Sequence, residues 1–218
     1  MARLPGQIDL AKSEAILDAA LAVMVERGIS APMEEIARRA GVSKQTIYNH
    51  YGSKAELVRA LTARRVHELV APLATEEGVA DPARALAGFA RVLLGKLLND
   101  RSSAFLRVAM MGAIEAPELG RAVWEAGPRT SRRRLAEFLD METRAGRLAC
   151  PDPWQAAEFF AGMVVGSYQT AALLGVDRPL TDEMVEQVAT EAAARFMRAY
   201  APLDPPPRGE AARSAGGG

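Results

Sequence analysis

The sequence has a single cysteine, Cys150, and only two histidines, His50 and His67. One thiol cannot form a disulfide within the chain, and so few sulfur and imidazole ligands argue against a zinc or iron site. Residues 1–12 contain no long apolar stretch of the kind that directs export. These absences predict a cytoplasmic protein that holds no metal and needs no cofactor.

The motifs of common catalytic sites are also missing. The sequence contains no GxSxG, GxxxxGK, GxGxxG, HExxH or CxxC pattern. A helical enzyme that uses a carboxylate such as Glu115 is the alternative, but a lone carboxylate without a partner carries little weight. We therefore predict that the protein is not an enzyme.

Positive charge is in excess only in the first third of the chain. The whole sequence has 27 Lys and Arg against 27 Asp and Glu, whereas residues 1–65 have ten against seven. A protein without an overall excess of positive charge can contact nucleic acid only through a local patch, which we place in residues 1–65.

An uncharged stretch, Phe159–Val176, is long enough to raise the question of a membrane span. Gly162, Gly166 and several polar residues lower its hydrophobicity, and no basic cluster flanks it. We predict a helix buried on most sides, within a core or between subunits, and no membrane association.

The spacing of apolar residues predicts an all-α fold. Apolar side chains recur every three or four residues, and no segment alternates as strands do. Helix starts are marked by Ser53 with Glu56, by Asp81-Pro82 and Asp152-Pro153, and by Thr181. The predicted helices are 10–27, 33–40, 44–50, 54–76, 82–98, 101–114, 117–126, 128–145, 153–175 and 181–200.

Residues 33–50 are predicted to form two short helices joined by a tight turn at Gly41, whose left-handed conformation suits glycine. Ser43 can cap the second helix. Ile47 and Tyr51 point toward the core, which leaves the polar face of the second helix outward. Such a helix can enter a major groove and read base edges. The alternative is a helical hairpin with an ordinary solvated face.

The stretch from Ile16 to Leu61 resembles the N-terminal DNA-binding domain of the TetR family of bacterial transcriptional regulators, most specifically over AGVSKQTIYNHYGSKAEL, residues 40–57. The resemblance implies that Lys44, Gln45, Thr46 and Asn49 face bases or nearby phosphates. It also implies that Tyr48 and His50 contact the DNA backbone. The DNA-binding residues expected from it are Ser43, Lys44, Gln45, Thr46, Tyr48, Asn49, His50 and Lys54.

One departure from the family pattern concerns the start of the first motif helix. Members commonly have Ser or Thr there, whereas this chain has Ala31 and Pro32, which supply no hydroxyl to a phosphate. Glu34 and Glu35 lie at the same end and would repel DNA. We expect affinity to rest more on Lys44, Tyr48, Lys54 and the arm around Arg3.

Residues 113–139 weakly resemble the C-terminal domains of the AefR-like branch, which implies a region for dimerisation and ligand binding. Small side chains in the last two helices would let two protomers approach closely, although they could equally pack inside one subunit. The interface residues predicted are Gly162, Gly166, Ala171, Val185, Ala189, Ala192 and Phe196.

A cavity for a small, largely apolar effector is the second expectation for this region. Aromatic residues and adaptable methionines are the candidates for its lining: Phe105, Met110, Met111, Trp124, Phe138, Phe159, Met163 and Tyr168. The basic run of Arg129 and Arg132–Arg134 is interpreted as a solvated helix face in preference to a second DNA site.

The sequence thus predicts a repressor that binds a palindromic double-stranded operator as a homodimer and is released by the effector. The predicted parts are a helix-turn-helix domain (1–53), a connecting helix (54–76), a ligand-binding and dimerisation domain (77–201) and a disordered tail (202–218). The alternative is a helical dimer with a motif that no longer binds DNA, which salt-dependent retention on DNA would distinguish.

Overall fold

The computed structural model describes residues 10–176 and 180–202. Over these ranges the chain is helical and has no strand, which confirms the predicted fold class. The arm around Arg3 and, beyond Pro202, the predicted tail lie outside the described residues. The helices are α1 (Leu10–Arg27), α2 (Met33–Ala40), α3 (Lys44–Tyr51), α4 (Lys54–Val70), α5 (Glu76–Ala80), α6 (Pro82–Leu98), α7 (Asp100–Gly112), α8 (Pro117–Trp124), α9 (Thr130–Arg144), α10 (Pro153–Val165), α11 (Tyr168–Leu174) and α12 (Asp182–Ala199).

The predicted helix caps are present. Ser53 Oγ accepts a hydrogen bond from the backbone N–H of Glu56 at 3.1 Å, and the Asp81 side chain accepts two at the start of α6. Asp152 and Thr181 cap α10 and α12 in the same way. These side chains satisfy backbone donors that the first helical turn leaves open, which fixes where each helix begins.

The structure departs most from the predicted helix boundaries at three places, and the short helix α5 was not predicted. The connecting helix α4 ends at Val70, because Pro72 has no N–H to continue it, and a 3₁₀ turn over Ala71–Ala74 follows. The predicted helix 153–175 breaks at Gly166, whose φ of 47° and ψ of −134° are not helical. Residues 125–129 form one π turn that joins α8 to α9, so Pro128 does not interrupt the helical path.

Two clusters of buried side chains hold the chain together. The N-terminal core joins α1–α4 to one face of α7 and α8, where Phe105, Leu119 and Val123 are buried. The C-terminal core is formed mainly by α6, α9, α10 and α12. Helix α4 contributes Leu61 to the first core and Leu69 to the second, so it is packed into both. Helix α4 therefore connects the two cores.

No helix among the described residues is long and apolar enough to cross a membrane. The uncharged stretch that raised the question is divided between α10 and α11 at Gly166.

Candidate nucleic-acid interface

Helices α2 and α3 meet at the tight turn that the sequence predicted. Gly41 has φ of 66° and ψ of 30°, the left-handed conformation that closes α2, and the N–H of Val42 donates to Ala37 O at 3.1 Å. Ile47 of α3 is fully buried against the N-terminal core. One side of α3 is therefore anchored, and the opposite side is turned outward.

The outward side of α3 carries paired amide groups. Lys44, Gln45, Asn49 and His50 are all exposed. Gln45 Nε2 donates a hydrogen bond to Asn49 Oδ1 at 2.6 Å, one helical turn apart. Both side chains are exposed and keep further donors and acceptors, and side-chain amides of this kind can read adenine in the major groove.

Ser43 and Thr46 organise the start of α3. Ser43 Oγ accepts from the backbone N–H of Thr46 at 3.0 Å and lies 2.8 Å from Thr46 Oγ1. Ser43 thus serves as the N-cap, as predicted, and its hydroxyl is already engaged before any ligand arrives.

The two aromatic positions of the motif are held differently. Tyr48 is half-buried against the N-terminal core, and Lys44 Nζ lies 5.7 Å from the centre of its ring. The exposed His50 ring packs edge-on against Tyr51 with centroids 4.5 Å apart, and Tyr51 is in turn hydrogen-bonded to Ser13 at 3.0 Å. Tyr51 thus turns inward, as predicted, and links α3 to α1.

Charges at this surface are partly compensated within the protein. Lys44 donates to the carboxylate of Glu34, and this hydrogen bond lowers the pKa of Glu34 and raises that of Lys44. Glu35 pairs with Arg27 at 2.9 Å. Pro32 precedes α2 without a side-chain cap, as the Ala31-Pro32 departure predicted. The acidic residues at the start of α2 are therefore neutralised by neighbours.

Lys54 opens α4 directly after the Ser53 cap. It is half-buried, and burial lowers its pKa, opposed by the charges of Glu118 and Glu34. A partly desolvated ammonium beside the open N–H groups of a helix start is well suited to a phosphate oxygen.

Four of the residues predicted for a dimer interface do not face outward. Val185, Ala189, Ala192 and Phe196 are buried in the C-terminal core, where the Phe196 ring meets Phe160 with centroids 5.1 Å apart. That part of the prediction is wrong, because the small residues of α12 let it pack closely on α6 within one protomer. Gly162 and Gly166 are exposed and Ala171 is partly exposed.

The predicted pocket residues divide in a similar way. Phe105 lines an open cavity of about 140 Å³ bordered by α4, α6, α7, α8, α9 and the π turn, and Phe138 lines a larger groove of about 400 Å³ between α4 and α9. Tyr168 is half-buried on α11. Five are instead exposed on the surface of the chain and line neither space: Met110, Met111, Trp124, Phe159 and Met163.

Of the residues that line this cavity, the sequence predicted only Phe105, and the charged residues that it missed are Arg65, Lys96 and Arg132. Arg65 follows the buried residues Leu61 and Thr62 by four and three residues, so it lies on the same inward side of α4. This spacing could have predicted its position from the sequence. Arg132 belongs to the basic run interpreted as solvated. Arg129, Arg133 and Arg134 do lie on that exposed face, paired with Glu125 or Glu137, whereas Arg132 turns inward.

Comparison with known proteins gives matches to two family models. Residues 16–61 match the model of bacterial regulatory proteins of the tetR family, and residues 84–202 match that of the AefR-like transcriptional repressor C-terminal domain. The curated regulator SrpR of Pseudomonas putida is 32% identical over 104 residues, which are 47% of this chain and 39% of SrpR. The chain thus spans less than half the length of this curated relative.

Solved structures resemble the chain over most of its length. The flavonoid-responsive regulator FrrA has 32% identity and a TM-score of 0.69, covering 89% of this chain and 99% of FrrA. A TetR-family regulator from Mesorhizobium loti has 24% identity and a TM-score of 0.71, covering 91% and 100% of the two chains. The first likeness extends to sequence, and the second shows the shared fold.

Proposed function

The chain belongs to the TetR family of DNA-binding transcriptional regulators, and we propose that it is a homodimeric repressor released from a palindromic operator by a small, largely apolar effector. Its match to an AefR-like repressor domain supports repression. The name of FrrA, a flavonoid-responsive regulator, supports a small organic effector.

The main support for DNA binding is helix α3, which is anchored on one side by buried Ile47 and exposes the hydrogen-bonded Gln45 and Asn49 on the other. An α-helix with its side chains is about 10–12 Å across, close to the width of the major groove, and the eight residues of α3 extend for about 12 Å. With α3 in the groove, Lys54 and the start of α4 would contact the phosphates beside it.

A dimer would use the exposed side of α10. Phe159 and Met163 are one turn apart on this helix, and the exposed Gly162 beside them would allow a partner helix to approach closely. Helix α12 packs against α10 and carries a further exposed apolar side chain, Met184. A two-fold dimer presents two copies of α3, and a palindrome presents two equivalent half-sites.

Two contacts would transmit effector binding to the DNA-binding helices. Arg64 of α4 donates to Glu14 and Asp18 of α1, the latter at 2.8 Å. Gly112, at the end of α7, lies so close to Ile29 that a Cβ would overlap its side chain. A shift of α4 or α7 would therefore carry α1 with it. DNA and effector would each favour a different spacing of the two α3 helices and oppose one another's binding.

The experiment is selection of binding sites from random duplex DNA, followed by affinity measurement with the full chain. We expect a palindrome with half-site centres roughly 34–36 Å apart, and affinity that falls steeply with salt. Gln45→Ala should relax base preference at one position in each half-site, whereas Gln187→Ala, at an exposed position on α12 outside the helix-turn-helix, should leave the base preference unchanged. Recovery of no consensus, or weak binding that Gln45→Ala leaves unchanged, would reject the proposal.

A further inference from the structure

We propose that the effector carries a carboxylate and that Arg65 and Arg132 hold it in the cavity of about 140 Å³. This inference rests on the proposed function, since it names the ligand class to which the regulator responds. The two guanidinium groups come from different helices, α4 and α9, and line the same small space.

Arg65 is a cation without a close anionic partner among the described residues. Its guanidinium lies 5.7 Å from the centre of the Phe105 ring. The nearby carboxylate of Glu68 raises its pKa, but burial outweighs this charge and lowers the pKa overall. Glu68 itself accepts a hydrogen bond from Lys96. A partly buried cation in this condition is stabilised by an anion placed beside it.

Arg132 is only loosely compensated. Its side chain is 19% exposed, and its Nε lies 3.8 Å from Glu158 Oε2, at the limit of an ion pair. Nη1 donates to Ser131 Oγ at 3.3 Å, and burial lowers the pKa of the group in spite of Glu158. Donors of the planar guanidinium therefore remain for a ligand.

The chemistry of the lining defines the rest of the ligand. Two guanidinium groups favour a planar, bidentate acceptor, which a carboxylate provides. The other side chains are mainly apolar, among them Val66, Leu69 and Val123, and the remaining cation of the lining, Lys96, is paired with Glu68. A cavity of about 150 Å³ accommodates benzene. The ligand is therefore a small carboxylic acid with a ring or short alkyl chain, ionised at neutral pH.

The test compares acids with their neutral amides by isothermal titration calorimetry on the full chain. The pairs are benzoate with benzamide, cinnamate with cinnamamide, and hexanoate with hexanamide; acetate and inorganic phosphate are anions without an apolar body. We expect at least one acid to bind about tenfold or more tightly than its amide and than acetate or phosphate. Equal binding of acid and amide, binding of phosphate alone, or binding of no probe would overturn the proposal.

Matched variants assign the contact to the two arginines. Arg65→Gln and Arg132→Gln should each weaken acid binding about tenfold or more while leaving amide binding unchanged. The controls are Arg59→Gln on α4 and Arg133→Gln on α9, whose arginines are exposed and paired with Glu56 and Glu137. If either glutamine variant fails to fold, the acid-to-amide ratio of the wild type decides alone.

The outcome is separable from that of the proposed function, because the calorimetry contains no DNA. A chain that prefers acids but binds no operator retains the carboxylate site and loses the regulatory role. A chain released from its operator by neutral compounds alone retains the regulatory role and loses the carboxylate site.

Discussion

Lys44, the first residue of α3, donates a hydrogen bond to Glu34 in the first turn of α2. The cation that stands at the edge of the DNA-reading surface is therefore paired with a carboxylate of the preceding helix. Any phosphate that Lys44 contacts must compete with Glu34. In the absence of DNA, this pair compensates the positive charge of Lys44 at the interface.

Removing the carboxylate should tighten DNA binding. Glu34→Gln frees Lys44 and removes a negative charge from the surface facing phosphates, so we expect operator affinity to rise about three- to tenfold at low salt, with less gain at high salt. Fluorescence anisotropy with labelled operator measures this. Glu183→Gln, which removes an exposed carboxylate of α12, is the control and should have no effect. Weaker binding by the Glu34 variant would show that the pair orients α3 for DNA.

Lys54 should act on the DNA backbone independently of sequence. Lys54→Gln keeps a polar side chain but removes the charge beside the α4 start, so affinity for operator and unrelated duplex should fall by a similar factor. The slope of log affinity against log salt should become shallower by about one. The control is Arg195→Gln on α12. That arginine is far from Lys54 in the sequence and pairs with Glu191 on its own helix. An unchanged salt slope would contradict a phosphate contact.

The helix-turn-helix was predictable because its information is local. Gly41, Ser43 and Ile47 fix the turn, the cap and the buried side of α3 within seven residues, and the structure places all three as expected. The exposed position of Gln45 and Asn49 follows directly from the burial of Ile47.

The C-terminal part was less predictable because composition does not say which helix a small residue will meet. Ala189 and Ala192 suit a close approach between protomers or within one, and in α12 they serve the second purpose. Arg65 could have been found, since its register on α4 is that of Leu61. The position of Arg132 in the sequence did not predict that it would line the cavity, because its orientation depends on how α9 packs against its neighbours.

The contact between Gly112 and Ile29 should be intolerant of one added methyl group. Gly112→Ala places a Cβ where Ile29 Cγ2 lies, so we expect the free energy of unfolding to fall by about 1–3 kcal/mol in urea denaturation. Gly95→Ala in α6 is the control, because nothing lies within 4 Å of its added Cβ and alanine favours a helix.

A double-mutant cycle tests the physical reason for that loss. Ile29→Ala removes the side-chain atoms that the new methyl would strike, so Gly112→Ala combined with Ile29→Ala should cost less than the sum of the two single changes. Strict additivity would show that the loss arises elsewhere in α7.

The exposed side of α10 should determine the oligomeric state. Phe159 is 57% exposed in the single chain, and a ring that is desolvated at the centre of an interface commonly contributes more than about 2 kcal/mol to association. Phe159→Glu should therefore raise the dimer dissociation constant about thirtyfold or more in sedimentation equilibrium. Ile114→Glu is the matched control: Ile114 is 88% exposed, follows α7 two residues after Gly112, and lies away from α10 in the chain.

Because two half-sites need two copies of α3, the Phe159 variant should also bind a full operator no more tightly than one half-site. A variant that remains dimeric, or an Ile114 variant that dissociates instead, would move the interface from α10 to the end of α7.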